Sequence, residues 1–177
     1  MNAIREPAPI IVTLQLDAAT AARFEAERRA HFPPAINRVG AHLTLFHALP
    51  GSEETRVMDM IGRAAQRAPF PLAVEGLMRL GRGVAYRIAS PDLVGLRGRL
   101  AEAFHPVLTP QDRERFRPHV TIQNKVTPEI ARETHARLCA TFEPFTARAE
   151  GLQLWHYRGG PWSPLGAVPF AVSPVRR

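Results

Sequence analysis

The alternation of strand-like and helix-like patterns along these 177 residues predicts an α+β fold in two similar lobes. Three observations carry the prediction. Apolar residues recur with period two in some segments and near 3.6 in others, and the two kinds of segment take turns. The succession strand, helix, strand, helix, strand then runs through a second time. One short word, a histidine, an aliphatic residue, a threonine and another aliphatic residue, stands at the corresponding place in each run, 77 positions apart. With 45% apolar residues the chain can build one compact core and is short for two. The expectation is a single domain over 1–177, with repeats of about 9–80 and 83–158, approximate internal two-fold symmetry, and a C-terminal tail over 159–177.

The first repeat opens with IIVTLQL, where Ile10, Val12, Leu14 and Leu16 share one face and Thr13 and Gln15 the other, the pattern of a half-buried strand. Asp17 suits the N-cap of a helix reaching about Ala30, and Pro33 and Pro34 end it. Ala41 to Leu49 reads as a strand, Ser52 to Arg67 as a helix with Glu53 and Glu54 in its favourable first turn, and Phe70 to Leu77 as a third strand. Gly81 and Gly83 offer the turn into a fourth, Val84 to Ile88. Ser90 followed by Pro91 is a strong helix start, and that helix should reach Phe104. A polar loop about Gln111 to Arg117 leads to a strand from His119 to Asn124. Thr127 and Pro128 start the next helix, to about Thr141, and Phe145 to Tyr157 reads as strand with a break near Gly151. The Gly- and Pro-rich tail has room for one more edge strand.

Twenty-three basic residues face sixteen acidic ones, a formal +7 that favours polyanions such as nucleic acid through sequence-independent attraction. Nearly all of that charge is arginine, with Lys125 the one lysine, and genomic base composition alone can produce such a bias. Charge therefore supports an RNA-like substrate without establishing it. No stretch approaches the roughly 18 consecutive apolar residues of a membrane span, and Met1 to Leu16 lacks the apolar block of a signal peptide. A soluble, cytoplasmic monomer is expected. Cys139 has no partner for an intramolecular disulfide and reads as a small buried hydrophobe on a helix.

The chemistry lies in the repeated word, His42-Leu43-Thr44-Leu45 and His119-Val120-Thr121-Ile122. Residues two apart in a strand point the same way, so each lobe presents an imidazole and a hydroxyl together while the aliphatic residues face the other side. Related by a two-fold axis, the two pairs can converge on one substrate. In-line displacement at phosphorus needs one group to take a proton from the nucleophile and another to give one to the leaving oxygen. Two imidazoles of ordinary pKa about 6.5 can do both near neutrality. The hydroxyls of Thr44 and Thr121 can donate hydrogen bonds to the non-bridging phosphate oxygens, where charge must be held. Neither histidine has a carboxylate beside it at metal-ligand spacing, so no metal and no cofactor are expected.

The paired words, Pro118 just before His119, the distance between the motifs and the late Trp162-Ser163-Pro164-Leu165 segment resemble the two-histidine phosphoesterase superfamily, in particular its bacterial 2′,5′-RNA ligase and cyclic phosphodiesterase branch. The resemblance spans roughly Ile10 to Phe170. It implies a bilobed α+β domain with helices outside and a central cleft between two antiparallel sheets. It also implies that His42 and His119 are general acid and base and that Thr44 and Thr121 bind phosphate. Members act on 2′,3′-cyclic phosphates, 2′-5′ linkages, ADP-ribose cyclic phosphates or oligonucleotide ends, so RNA ends or cyclic nucleotides are the implied substrates. An arginine commonly follows the second motif in the RNA ligase branch, where this chain has Gln123, Asn124 and Lys125.

Other residues have two readings each. Lys125 shares the face of His119 and Thr121 if the strand persists that far, and can neutralise phosphate, or it is a solvated lysine at a strand end. Phe46 lines the cleft and stacks a base, or packs in the core. Arg117 reaches phosphate, or belongs to an exposed charged loop. Trp155 and Tyr157 share a face, of cleft or core. His47, of opposite parity to His42, should face away from the cleft; His31, His105 and His135 read as surface or capping residues, and His156 has no firm register. Three functional classes remain open at this point: a phosphoesterase, a non-catalytic RNA-binding module, and a nucleotide-binding descendant of the same fold without turnover.

Overall fold

The computed structural model describes residues 7–172. The end of the anticipated tail lies outside them. In chain order the elements are β1 (Ile10–Leu16), α1 (Ala18–His31), β2 (Thr44–Leu49), α2 (Glu54–Ala64), β3 (Phe70–Arg79), β4 (Val84–Ala89), α3 (Pro91–Phe104), α4 (Pro110–Arg113), β5 (His119–Gln123), α5 (Pro128–Thr141), β6 (Phe145–His156) and β7 (Ser163–Pro169). The helix starts follow local chemistry. Asp17, Ser90 and Thr127 each accept a main-chain N–H three residues on, and Pro91 and Pro128 occupy first helical positions where no N–H is needed. Among the described residues no helix is long and apolar enough to cross a membrane.

The strands form one antiparallel sheet rather than the two expected. Its order is β2-β1-β6-β3-β4-β5, with β7 also on β6. The cause is the length of β6. Its C-terminal part pairs with β1 from Ala149 to His156, while its N-terminal part pairs with β3 from Phe145 to Ala149, so one strand belongs to both halves. The order reads the same when β1 is exchanged with β4, β2 with β5 and β3 with β6, which puts the two motif strands at opposite edges. The break expected at Gly151 is absent. β6 runs through it, with a register shift between Gln15 and Leu16 on the neighbouring strand. Glycine is needed there for close approach: a Cβ would lie 2.7 Å from the Val168 carbonyl oxygen and 2.8 Å from Oε1 of Gln15.

The helices cross between the halves. Phe24 on α1, wholly buried, meets Tyr86 of β4 at 5.1 Å and Phe145 of β6 at 6.1 Å between ring centroids. Phe104 on α3 meets Phe46 of β2 edge-on at 5.7 Å. The first helix of each run thus packs on strands of the other, which ties the two into a common core; truncating either phenylalanine to alanine would cost about 3–5 kcal/mol.

Two further expectations are corrected. Part of the supposed loop before β5 is the helical turn α4, capped by Thr109, and its Asp112 is buried against β2. Cys139 is exposed, because α5 buries the side bearing Ala131 and Thr134 and residue 139 lies off it.

Candidate functional site

Each histidine is held by the same device. Nδ1 of His42 lies 2.7 Å from the carbonyl oxygen of Gly40, and Nδ1 of His119 lies 2.7 Å from that of Arg117, in both cases two residues back. A carbonyl can only accept, so Nδ1 carries the proton and Nε2 is the nitrogen left to exchange one. The proline before His119 and the glycine two before His42 differ in sequence and yield the same hold. His42 itself lies just before β2, not within it, although Leu14 still donates to the Leu43 carbonyl oxygen at 2.9 Å.

Five strand spacings separate β2 from β5, which in a flat sheet would be about 24 Å. The two edges nevertheless turn toward each other, so that the charges of His119, Arg28 and His47 all act on His42. Buried arginines hold this curl. Arg28 of α1 donates from Nη1 to the Thr121 carbonyl oxygen of β5 at 2.8 Å and from Nε to Asn37 Oδ1 at 2.8 Å. Arg97 of α3 donates from Nε to the Leu45 carbonyl oxygen of β2 at 3.2 Å and also donates to the Asp112 carbonyl oxygen. The Asp112 carboxylate accepts the N–H groups of His47 at 2.8 Å and Ala48 at 3.1 Å. The outer edges of both motif strands are therefore satisfied by residues from the other half, which also removes two open edges.

Burial, chiefly, with the positive charges of Arg28, His119 and His47 pushes the His42 imidazolium down to about 4, against the opposing pull of the Gly40 carbonyl. His42 is thus neutral at pH 7 and ready to accept a proton. For Asp112, burial pushes the carboxyl up, but the hydrogen bonds and charge from His47 and the N–H of Ala48 outweigh it and hold the group below its ordinary value.

Thr44 pairs with Thr13, and Thr13 with Gln153, so these three share the face of the sheet opposite Val12 and Phe46. Thr121 and His119 lie on β5 across from Ala85 and Arg87, half-buried on the face opposite Tyr86. Phe46 does not line the cleft: it is wholly buried between Phe104 and the Arg97 guanidinium. A bulge explains the difference, since Thr13 meets Thr44 while the adjacent Val12 meets Phe46, and this places two β2 residues against one β1 step and reverses the alternation. The same reversal brings His47 to the Thr44 side, where Nδ1 binds Asp112 at 2.9 Å. Lys125 leaves the strand face as well, because β5 ends at Gln123 and Lys125 turns with φ +59°. Arg117 has an exposed side chain, and its carbonyl is what holds His119.

Several residues of the site escape sequence reasoning. Arg28 reads as an ordinary helix arginine, yet only 5% of it is exposed. Arg87 becomes a neighbour of His119 through the β4–β5 register alone, its side chain 57% exposed and 3.8 Å from Glu75. Trp162, singled out only by resemblance, packs on His42 with ring centroids 4.5 Å apart. Trp155, whose face the sequence leaves open, donates its indole N–H to Thr13 Oγ1 at 2.9 Å. Among the described residues no three His, Cys, Asp or Glu side chains gather as a metal-binding group.

The family model described as the 2′-5′ RNA ligase superfamily matches residues 16–161. No curated protein matches the chain. Among solved structures, TT0787 of Thermus thermophilus is similar at 18% identity and TM-score 0.66, over 92% of this chain and 97% of that one. Escherichia coli LigT complexed with 3′-AMP is similar at 21% identity and TM-score 0.65, over 93% and 99%. A structure described as a phosphoesterase is similar at 22% identity and TM-score 0.65, over 94% and 99%. At these identities the likeness is one of fold.

Proposed function

The chain belongs to the 2′-5′ RNA ligase superfamily, and from that premise we propose that it is a phosphoesterase acting on RNA-type phosphodiesters by proton exchange between His42 and His119, without a metal. The observation that carries this reading is the matched pair of imidazoles, each with Nδ1 at 2.7 Å from a carbonyl two residues back and Nε2 left to work. In the proposed reaction His42, neutral at the start, takes the proton of the attacking oxygen, and His119 supplies one to the oxygen that leaves. Thr44 and Thr121 donate to the non-bridging oxygens, with Arg28 and Arg87 adding positive charge as the phosphorane forms. LigT has been crystallised with 3′-AMP, with NADP+ and with phosphate, which supports a nucleotide substrate here. The most fitting reaction is hydrolysis of 2′,3′-cyclic phosphates, with 2′-5′ ligation its counterpart, in which a 5′-hydroxyl in place of water attacks the same cyclic phosphate and the 3′ oxygen leaves.

The experiment is to incubate the purified protein, in EDTA, with a panel of 2′,3′-cyclic nucleotides and 2′-5′ dinucleotides and to resolve products by 2′ or 3′ phosphate. Turnover that survives chelation is expected. Loss of activity that zinc or manganese restores would replace this mechanism with a metal-dependent one, and no turnover of any member would remove the substrate class.

A further inference from the structure

The hold on His42 has a second layer that the hold on His119 lacks. The carbonyl oxygen of Gly40, 2.7 Å from Nδ1 of His42, belongs to the same peptide group as the N–H of Ala41. That N–H donates to Oε2 of Glu25 on α1 at 2.7 Å. A peptide group is a rigid plane, so a partner that fixes its N–H also fixes the direction of its carbonyl. A carboxylate accepting at one end of the group further polarises it, which makes the carbonyl a stronger acceptor at the other end. Glu25, one peptide and His42 thus form a chain that ends at Nδ1, leaving Nε2 to work.

The neighbours keep this chain in place. Arg28, also on α1, holds the same segment at Asn37 with a bond of 2.8 Å, so the helix grips the stretch before His42 at two points. The other carboxylate oxygen of Glu25 faces Nε of Arg29 at 3.7 Å, the ordinary contact of residues four apart on a helix surface, and that pair leaves Oε2 for Ala41. A Cβ on residue 40 would stand 3.0 Å from Oε2, and glycine there leaves the carboxylate its room. At His119 the corresponding carbonyl, that of Arg117, belongs to a peptide whose nitrogen is that of Pro118. Proline has no N–H, so no acceptor can act on His119 by this route.

We propose that Glu25 is a positioning residue for His42, acting through the Gly40–Ala41 peptide as the carboxylate of a catalytic triad acts directly on its histidine. The inference rests on the proposed phosphoesterase reading for what His42 does with a proton. When Nε2 takes the proton of the attacking oxygen, Nδ1 keeps its own, and the imidazolium that results is held by a carbonyl with a negative charge behind it. His119 begins protonated and gives its proton up, so its positive charge disappears as the reaction proceeds and needs no such support. The difference between the two peptides matches the division of roles, with backing at the base and none at the acid.

The test is nitrogen-15 NMR of the histidine side chains at neutral pH, together with steady-state kinetics on 2′,3′-cyclic nucleotides, for the wild type, Glu25→Ala and Glu25→Gln. Glu25→Ala should shift the His42 ring resonances toward a weaker Nδ1–H bond and a larger share of the other tautomer, and leave those of His119 in place. Its kcat should fall about 10- to 100-fold at unchanged KM, the loss usual when the outer partner of a working histidine is removed. Glu25→Gln, whose amide oxygen accepts from Ala41 without a charge, should recover part of both effects. Unmoved His42 resonances in Glu25→Ala would overturn the proposal, and so would equal shifts at His42 and His119, since a loosened fold touches both. If Glu25→Ala does not fold, Glu25→Gln, of nearly the same shape, carries the same contrast between the two histidines. A shift confined to His42 in a protein that turns over no diester upholds the positioning and removes the reaction. Turnover of cyclic nucleotides with a kcat indifferent to Glu25→Ala does the reverse.

Discussion

Arg28 reaches from the first helix to the main-chain carbonyl of Thr121, 93 positions away, and closes 2.8 Å on it. The bond ties the helix of one half to the motif strand of the other and sets a positive charge near His42. Replacing the guanidinium by Arg28→Met removes two charge-assisted hydrogen bonds and leaves a carbonyl without its donor. At about 1.5 kcal/mol per bond, chemical denaturation should report a loss of about 3 kcal/mol. Arg28→Lys should recover only part of it, since an ammonium cannot reproduce the fork that serves Thr121 and Asn37 together.

Asp112 makes the matching connection on β2, and its depressed pKa gives the pH dependence a sign. A carboxyl lowered in the folded state stabilises fully above its unfolded value, about 3.9, and loses that stabilisation as pH falls through the folded value. Asp112→Ala should therefore cost stability at pH 7, about 2–4 kcal/mol from stranding the N–H groups of His47 and Ala48. The deficit should shrink as the pH falls below the unfolded carboxyl value of about 3.9 and on through the lower folded one, because the wild type then loses the same contribution. A deficit constant from pH 7 to pH 2 would mean that the ionised carboxylate is not what holds the strand edge.

How far these ties are legible in the sequence can be judged from single residues. The strand and helix order, the caps at Asp17, Ser90 and Thr127, and the like environment of the two motifs follow from local patterns that the chain carries within a few residues. Phe46 and His47 escape such patterns because a bulge inserts one residue into a pairing and leaves no mark in the periodicity of either strand. Arg28 is hidden for another reason: it stands among Glu25, Glu27 and Arg29, as a solvated residue would, and the group that buries it is Thr121. The merging of two sheets into one likewise depends on β6 finding partners at both ends, which is a property of the packed chain.

Cys139 gives a simple check on the orientation of α5. Exposed, with Sγ 3.5 Å from a ring nitrogen of His135, it should react with one equivalent of a thiol reagent in the folded protein. Activity should be unchanged after modification, because the residue lies outside the proposed site. Protection until unfolding would mean that α5 buries the opposite side.

Loss of either working imidazole should separate chemistry from folding. His42→Ala and His119→Ala are each expected to lower turnover by about 10² to 10⁴-fold, the usual size of one general acid or base, with circular dichroism and thermal unfolding near those of the wild type. Undiminished turnover in either variant, on a substrate the wild type consumes, would end the two-histidine mechanism.

The division of labour between the two follows from the charge state of His42. Burial and the neighbouring positive charges push its imidazolium down to about 4, so in the free protein it becomes competent to accept a proton as pH rises through that value. The acid limb of kcat/KM, which reports the free enzyme, should accordingly lie near pH 4 and well below the ordinary histidine value of about 6.5. Arg28→Met removes one of the charges that depress it, and should shift that limb upward. Leaving-group quality supplies an independent test. A nitrophenolate departs without a proton, so His119→Ala should be far less damaging on a nitrophenyl diester than on a nucleotide substrate, whereas His42→Ala should damage both alike. An acid limb near 6.5 that is indifferent to Arg28→Met, together with identical leaving-group responses in the two histidine variants, would reverse or abolish the roles assigned to His42 and His119.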